Sequence, residues 1–196
     1  GGLLGRKSGE GFYRYTEGAA QTPPEPTVPK MDTLPPVWLS ARAARRAELV
    51  QLLKDLGAQI ETAQAPSAQA LCLVAPLGLD ITTVAVLERL DPARTLGIDL
   101  LLPDRATHRR VLATNPATRA DVRDAAHALF ARDGKAVSVI RDSGGFVTQR
   151  VVACIVNIAA DICQRRICTP RDLEAAVTLG LGYPLGPLAM GDRWGP

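Results

Sequence analysis

The fold of this chain is decided by residues 142–196, which read DSGGFVTQRVVACIVNIAADICQRRICTPRDLEAAVTLGLGYPLGPLAMGDRWGP. After a Gly-Gly pair, the run from Phe146 to Cys163 is apolar on nearly every face, which is typical of a helix buried on more than one side. Arg150 and Asp161 argue against a membrane span, because a charge at mid-bilayer is costly. We therefore expect a core or interface helix here.

Two shorter helices are predicted after it. Thr169 is a good N-cap, with Pro170 at the first helical position and Asp172 behind it. This helix should stop at Gly180, because glycine ends helices readily. A third helix is expected to open near Leu185, after a turn rich in glycine and proline.

The same stretch carries the spaced motifs G-F-V-x-x-R, T-P-x-D-L-E-A-A and L-G-x-G-Y-P-x-G-P. Together they resemble the helical C-terminal domain of the 3-hydroxyacyl-CoA dehydrogenase family. The resemblance implies an all-α domain of the 6-phosphogluconate-dehydrogenase C-terminal-like type at residues 142–196, truncated at its end. It further implies a parent enzyme that oxidises 3-hydroxyacyl-CoA to 3-oxoacyl-CoA with NAD, in fatty-acid or aromatic-acid degradation.

Composition excludes some classes of function. The chain has 196 residues, and its 23 Lys and Arg against 20 Asp and Glu leave a net charge of +3, which is too balanced to favour nucleic acid. The pairs Arg109-Arg110 and Arg165-Arg166 are interpreted as a solvated helix face or a helix C-terminus. No signal-peptide or membrane-span pattern is recognised, and we expect a cytoplasmic protein.

The cysteines are interpreted as buried thiols of a reducing compartment. They show no metal-ligand spacing and no paired histidines, so a metal site is not expected. The four are Cys72, Cys154, Cys163 and Cys168.

The start of the chain is interpreted as the end of another domain. By the same resemblance, residues 1–15 are similar to the closing segment of a preceding helical domain, which would make residues 142–196 a second copy. Residues 16–36 hold six of the fifteen prolines and predict a semi-rigid linker. With no initiator Met and a motif at each end, we expect a piece of a longer, bacterial protein, whose N-terminal half would be a partner of this part.

Between linker and helical domain, residues 37–141 alternate between strands and helices. This order predicts a mostly parallel sheet, as in a reduced Rossmann-like α/β domain. The expected strands are 37–40, 58–61, 70–75, 96–102 and 135–140, and the expected helices are 43–56, 82–90 and 118–132.

The turn after the first strand is unlike that of a dinucleotide site. Such a turn needs glycine, because only glycine lets the backbone approach a pyrophosphate. This chain has Ala41, Arg42, Ala43 and Ala44 there. We therefore expect no cofactor in this part of the protein, with NAD bound by the missing half, although Arg42 at a helix N-terminus is a weak anion signal.

The resemblance also locates the positions of the family's catalytic groups. The segment T-L-G-I-D-L-L-L-P aligns with the family's histidine strand, and places Asp99 at the histidine position and Val111 near that of the orienting glutamate. Gln149 stands where the family has a substrate-contacting asparagine; it is a candidate substrate contact, with packing or a structural hydrogen bond favoured. His108 and His127 are interpreted as surface residues on helices.

The missing glycines and the replaced catalytic positions both indicate that the family's fold is kept in this chain while its cofactor and catalytic sites are lost. The leading hypothesis is the C-terminal part of an NAD-dependent 3-hydroxyacyl-CoA dehydrogenase that is inert by itself and serves structure and association, as a homodimer through the helical domain. The alternatives are a non-catalytic oligomerisation module, or a domain that retains acyl-CoA binding near Gln149 and the Tyr183-Pro184 turn.

Overall fold

The computed structural model describes residues 2–17 and 19–195; Gly1, Gly18 and Pro196, which fall in the predicted tail, linker and helical domain, lie outside the described residues. The strands are β1 (Tyr15–Thr16), β2 (Ala19–Ala20), β3 (Val37–Leu39), β4 (Ile60–Glu61), β5 (Leu71–Val74), β6 (Thr95–Ile98), β7 (Arg109–Thr114) and β8 (Ala136–Arg141). The α-helices are α1 (Arg46–Asp55), α2 (Ile81–Leu87), α3 (Ala120–Phe130), α4 (Thr148–Gln164), α5 (Pro170–Ala175) and α6 (Pro187–Trp194).

Six strands form one sheet in the order β4-β3-β5-β6-β7-β8. One hydrophobic cluster packs α1 and α3 on the sheet, and a second packs α2 and Phe146 on its other side. β5 is buried along its whole length, as expected for a strand covered on both faces. The alternating α/β architecture predicted for residues 37–141 is therefore present.

The sheet is mixed rather than parallel throughout. β7 was not predicted as a strand, and it pairs antiparallel with β6, whereas the other four strand pairs are parallel. A parallel return needs a long crossover, usually a helix. Between Ile98 and Arg109 there is only a single 3-10 turn at Asp104–Ala106, so the chain reverses direction instead.

Arg110 explains why this strand was missed. A pair of arginines argued for a solvated helix face, but the Arg110 side chain is only 2% exposed. It forms ion pairs with Asp104 (2.8 Å) and Asp133 (2.7 Å) and donates to the Phe130 carbonyl oxygen. Its charge is neutralised by residues from two loops, which corrects the interpretation for this residue.

The predictions for the two histidines and for the four cysteines are only partly correct. His127 lies on α3 as expected but is buried, whereas His108 is exposed on the coil just before β7 rather than on a helix. Of the cysteines, Cys72 is buried, Cys154 is exposed, and the remaining two are half-buried. α1 buries Leu49, Leu52 and Leu53 against the sheet.

The C-terminal segment has the three predicted helices. Thr169 caps α5 as expected, because its hydroxyl accepts from the Asp172 backbone N–H at 3.2 Å. α5 then widens into a π-turn at Ala176–Gly180. Of the two alternatives for α4, a helix enclosed in the core of this chain is wrong, since Val151 and Ile158 are 51% and 59% exposed. The interface helix stays a prediction.

The proline-rich segment is mostly exposed, but it is attached to the sheet. Glu25 forms an ion pair with Arg109 at the start of β7, and Arg109 also donates to the Ser138 hydroxyl at 3.0 Å. The short hairpin of β1 and β2 precedes this contact. In the part of the chain that the structure describes, no helix has both the length and the hydropathy needed to cross a membrane.

Candidate functional site

The first candidate site is the crevice where β3 and β5 diverge. The chain leaves β3 for β4 on one side and returns to β5 on the other, and ligands of α/β sheets bind at such switch points. A cavity of about 150 Å³ lies there, between the turn after β3 and the end of β5. This is where a dinucleotide would be expected.

The groups that line this crevice do not fit a pyrophosphate. The Ser40 hydroxyl donates to the Glu88 carboxylate at 2.7 Å and accepts from the Arg42 backbone N–H at 3.0 Å. The Ala44 N–H donates to the Ala75 carbonyl oxygen at 2.8 Å. Backbone donors that would hold phosphate oxygens are therefore engaged, and a carboxylate faces the space, so the weak anion signal of Arg42 is opposed by Glu88.

The second candidate site joins the two predicted residues Asp99 and Gln149. Asp99 follows β6, and Gln149 lies in the first turn of α4, yet the Gln149 amide Nε2 donates to Asp99 Oδ1 at 2.9 Å. Gln149 is only 8% exposed. The structure thus brings together two positions that are fifty residues apart in the sequence.

The remaining bonds of Gln149 hold the chain around it. Its Oε1 accepts from the Gly78 N–H at 2.8 Å, and its Nε2 also contacts the Pro76 carbonyl oxygen at 3.2 Å. The amide thereby connects α4 to the segment after β5. Both of its polar atoms are already engaged in the folded protein.

Val111 lies next to this pair. Its carbonyl oxygen accepts from the Asp99 backbone N–H at 3.0 Å, in the antiparallel pairing of β6 with β7. The three positions assigned by resemblance to a histidine, a glutamate and an asparagine are therefore adjacent, but they hold a carboxylate, an isopropyl group and an amide. This set contains no imidazole, and the aspartate already accepts from Gln149 and from the Leu101 N–H.

An apolar groove opens beside Gln149, and the sequence did not predict it. It has a volume of about 520 Å³ and lies between the segment after β5, α4 and α6. Two buried polar atoms at or near it lack a hydrogen-bond partner among the described residues, Asp99 Oδ2 and Trp194 Nε1. Tyr183 and Pro184 do not line it, so the structure does not bring that turn to Gln149.

The largest pKa shifts lie away from this site, around Arg110. A hydrogen bond from Arg110 lowers the pKa of Asp133 to about 2. Burial raises the pKa of Asp104, but bonds from Arg110 and Lys135 outweigh it and lower that pKa overall. These groups stabilise the fold and face neither candidate site.

No group of three or more potential metal ligands occurs within residues 2–17 and 19–195.

Comparison with known proteins finds similar chains among 3-hydroxyacyl-CoA dehydrogenases. Residues 145–196 match the family described as 3-hydroxyacyl-CoA dehydrogenase, C-terminal domain. The chain is 29% identical over 195 residues to a 3-hydroxyadipyl-CoA dehydrogenase of Escherichia coli, covering 100% of this chain and 35% of that protein. It is 30% identical over 118 residues to a probable 3-hydroxybutyryl-CoA dehydrogenase of Bacillus subtilis, covering 58% of this chain and 39% of that protein.

A solved structure has the same fold along nearly the whole chain. A 3-hydroxybutyryl-CoA dehydrogenase of Escherichia coli superimposes with a TM-score of 0.64 at 23% identity, covering 99% of this chain and 35% of that one. The chain thus spans little more than a third of the length of these relatives.

Proposed function

Because the chain is homologous to the C-terminal part of 3-hydroxyacyl-CoA dehydrogenases, we propose that it is the non-catalytic part of such an enzyme and serves its structure and association. The whole protein would be an oxidoreductase that converts 3-hydroxyacyl-CoA to 3-oxoacyl-CoA in a bacterial cytoplasm. In this proposal, residues 1–15 are the end of a preceding helical domain, and residues 16–36 are the linker that follows it. Residues 37–141 form the reduced Rossmann-like domain, and residues 142–196 form the second helical domain.

The observation that carries this proposal is the hydrogen bond between Gln149 and Asp99. A general base must be within reach of a substrate proton and have a pKa near the working pH. Here the aspartate at the histidine position is engaged by the amide of Gln149, and its neighbour Val111 cannot orient a base. We infer that these residues have become a structural contact between sheet and helix.

The turn after β3 supports a second part of the proposal, that the cofactor binds outside this chain. The turn after β3 has side chains where glycines would be needed, and its Ala44 N–H is bonded to Ala75. We propose that NAD and the proton-transferring residues belong to another part of the whole protein.

Association is proposed to use the exposed face of α4. Val147, Val151, Cys154 and Ile158 are spaced three or four residues apart and are all exposed. Such a stripe on one helix face is typical of a surface that packs on another helix. We propose a homodimer formed through this helical domain.

Thermal unfolding in the presence of ligand tests the proposal that the chain is non-catalytic. A ligand at 100 times its dissociation constant adds about 2.7 kcal/mol to the free energy of unfolding, which is a visible rise in melting temperature. We expect millimolar NAD to cause no shift and the purified chain to show no hydride transfer with 3-hydroxybutyryl-CoA. A clear shift with NAD, or turnover by the chain, would overturn the proposal.

The apolar groove favours a second candidate function, retained acyl-CoA binding. Its volume of about 520 Å³ and the unpartnered Trp194 indole N–H suit an apolar chain that carries a carbonyl oxygen. Calorimetric titration with acetoacetyl-CoA would detect such binding. The matched variants are Ala153→Phe, which narrows the groove, and Cys154→Phe on the exposed face; heat lost only in the first would support binding in the groove, and no heat with the unsubstituted chain would exclude it.

A further inference from the structure

The exposed apolar stripe of α4 has a charge of opposite sign at each end. Val151, Cys154 and Ile158 are its apolar members. Arg150 lies beside Val151 at the N-terminal end, and Asp161 lies one turn beyond Ile158 at the C-terminal end. The two charges are eleven residues apart, which is about three turns or about 17 Å, so they lie on the same side of the helix. These five residues are the α4 face.

Both charged groups can reach a partner. The Arg150 side chain is exposed and donates to the Ser143 hydroxyl at 2.8 Å; across residues 2–17 and 19–195 it forms no ion pair. Asp161 is paired with Arg165 at 2.9 Å through its Oδ1 atom, but its side chain is still 50% exposed. The α4 face therefore offers one cation and one anion to the surroundings.

The positions of these residues suit an antiparallel pair of α4 helices. About a two-fold axis perpendicular to the helices, each residue faces a different residue of the second copy. The midpoint of Arg150 and Asp161 lies between positions 155 and 156. The midpoint of Val151 and Ile158 lies between positions 154 and 155. Because these midpoints differ by one residue, or about 1.5 Å along the helix, a single axis brings both pairs together.

A parallel pair of helices would oppose like charges. Its two-fold axis runs along the helices, so Arg150 would face the partner's Arg150, and Asp161 would face the partner's Asp161. Like charges in contact are destabilising, whereas complementary charges across an interface fix its register. The charges of the α4 face therefore favour the antiparallel orientation.

We propose that the α4 face binds the same face of a second copy of this chain in antiparallel orientation. Val151 then packs on the partner's Ile158, and Arg150 pairs with the partner's Asp161. Each contact occurs twice because the interface is symmetric, and Cys154 lies close to the axis. The orientation rests on the association through α4 proposed above, to which it adds the register of the two copies.

Exchange of the two charges tests the orientation. Arg150→Glu would place carboxylates together at both symmetric pairs, so we expect the dissociation constant of the dimer to rise about tenfold at low ionic strength. Asp161→Arg should weaken the dimer in the same way. The double variant Arg150→Glu, Asp161→Arg has opposite charges again, and its dissociation constant should return to within about threefold of that of the unsubstituted chain. Sedimentation velocity over a range of concentrations measures all four proteins.

Arg46→Glu is the matched control for these variants. It makes the same change of charge at an exposed position of α1, away from the helical segment, and it should leave the dissociation constant unchanged. An unchanged dimer in Arg150→Glu, or no recovery in the double variant, overturns the antiparallel pairing. A chain that is monomeric at every concentration instead refutes the association proposed above, so the two failures are distinguishable.

Disulfide formation between introduced cysteines tests the register independently. Chains with Val151→Cys and with Ile158→Cys, each in a Cys154→Ser background, are oxidised in air separately and as a mixture. Antiparallel packing brings position 151 of one copy beside position 158 of the other. Two copies of the same position are then about 8 Å or more apart along the axis, which is too far for a disulfide.

We therefore expect linked dimers in the mixture and none in the separate samples. The Cys154→Ser chain alone measures the background from Cys72, Cys163 and Cys168. Links above this background in either separate sample are the result expected of parallel helices, and they overturn the proposal.

Discussion

Gln149 shows at the scale of one residue how a buried amide connects a helix to the segments that follow two strands. Its amide bonds to Asp99, to Gly78 and to the Pro76 carbonyl oxygen, in a nearly closed environment. A glutamine is long enough to reach from the first turn of α4 to the ends of two strands. The contribution of this side chain to the free energy of unfolding can be measured by substitution.

Gln149→Leu should destabilise the protein by about 1–3 kcal/mol, because Asp99 and the Pro76 carbonyl oxygen, both half-buried, lose a hydrogen bond. Urea denaturation at neutral pH would measure the loss. The control is Gln164→Leu at the exposed end of the same helix, for which we expect a change within about 0.5 kcal/mol. Equal effects of the two substitutions would contradict a structural role for Gln149.

Arg110 is the other residue whose environment determines its role. Burial of its guanidinium opposes ionisation, but hydrogen bonds to Asp133 and Asp104 outweigh that effect and raise its pKa. The partners come from the turn before β7 and the turn before β8. A charge within the sheet is therefore compensated by two carboxylates.

Arg110→Met should destabilise the protein by about 3 kcal/mol. It should also make the free energy of unfolding depend less on pH below pH 4. Asp133 has a folded-state pKa of about 2, below its ordinary value of 3.8, so its contribution is present above pH 4 and is lost as the pH falls towards 2. Thermal melts between pH 5 and pH 2 would show a steeper decline for the unsubstituted chain than for the variant. Parallel profiles would exclude this network as the cause.

At the scale of elements, α2 is held at its N-terminus by two carboxylates. Asp80 accepts from the Thr83 N–H at 2.7 Å, as an ordinary N-cap. Asp142, at the start of the helical segment, accepts from the Ile81 N–H at 2.7 Å and the Thr82 N–H at 3.0 Å. The second aspartate thus connects the α/β layer to the helices that follow.

Asp142→Ala should cost about 1–2 kcal/mol, comparable with the loss of a strong helix cap. It should also loosen the start of α4, since the chain there is held by this contact. Hydrogen exchange would reveal faster exchange in both α2 and the first turn of α4. Asp80→Ala is the control, with faster exchange expected only in α2; the same pattern in both variants would argue against Asp142 as a connection between the layers.

At the scale of the whole molecule, the exposed apolar residues of α4 and those of α2 differ in how far they extend along the helix. Those on α4, such as Val151 and Ile158, form one stripe along a helix, whereas Val86 on α2 is 72% exposed on a helix of only seven residues. Only the first group extends far enough to pack along a partner helix. The proposed association therefore predicts a difference between them.

Val151→Glu combined with Ile158→Glu should convert a concentration-dependent dimer into a monomer in sedimentation velocity experiments. The substitutions lie at the surface, so the melting temperature of the monomer should change little. Val86→Glu is the matched control and should leave the dimer intact. A monomer at high concentration before any substitution would refute the proposed association.

Local signals in the sequence were sufficient for much of this architecture. The cap at Thr169, the stop at Gly57, where φ is +69°, and the fully apolar run of β5 each act through neighbouring residues, so they could be recognised without tertiary information. The motifs of residues 145–187 likewise indicated the family before any contact was known. These features depend on backbone conformation and on burial of a single continuous stretch.

Other features were decided by the tertiary structure alone. β7 can carry the buried Arg110 because Asp104 and Asp133 neutralise it, and His127 is buried on α3, the helix that packs against β7 and β8. The contact of Gln149 with Asp99 joins residues fifty positions apart. In each case a polar or charged side chain is buried only because distant partners satisfy or enclose it, and the spacing of residues along one chain carries no information about those partners.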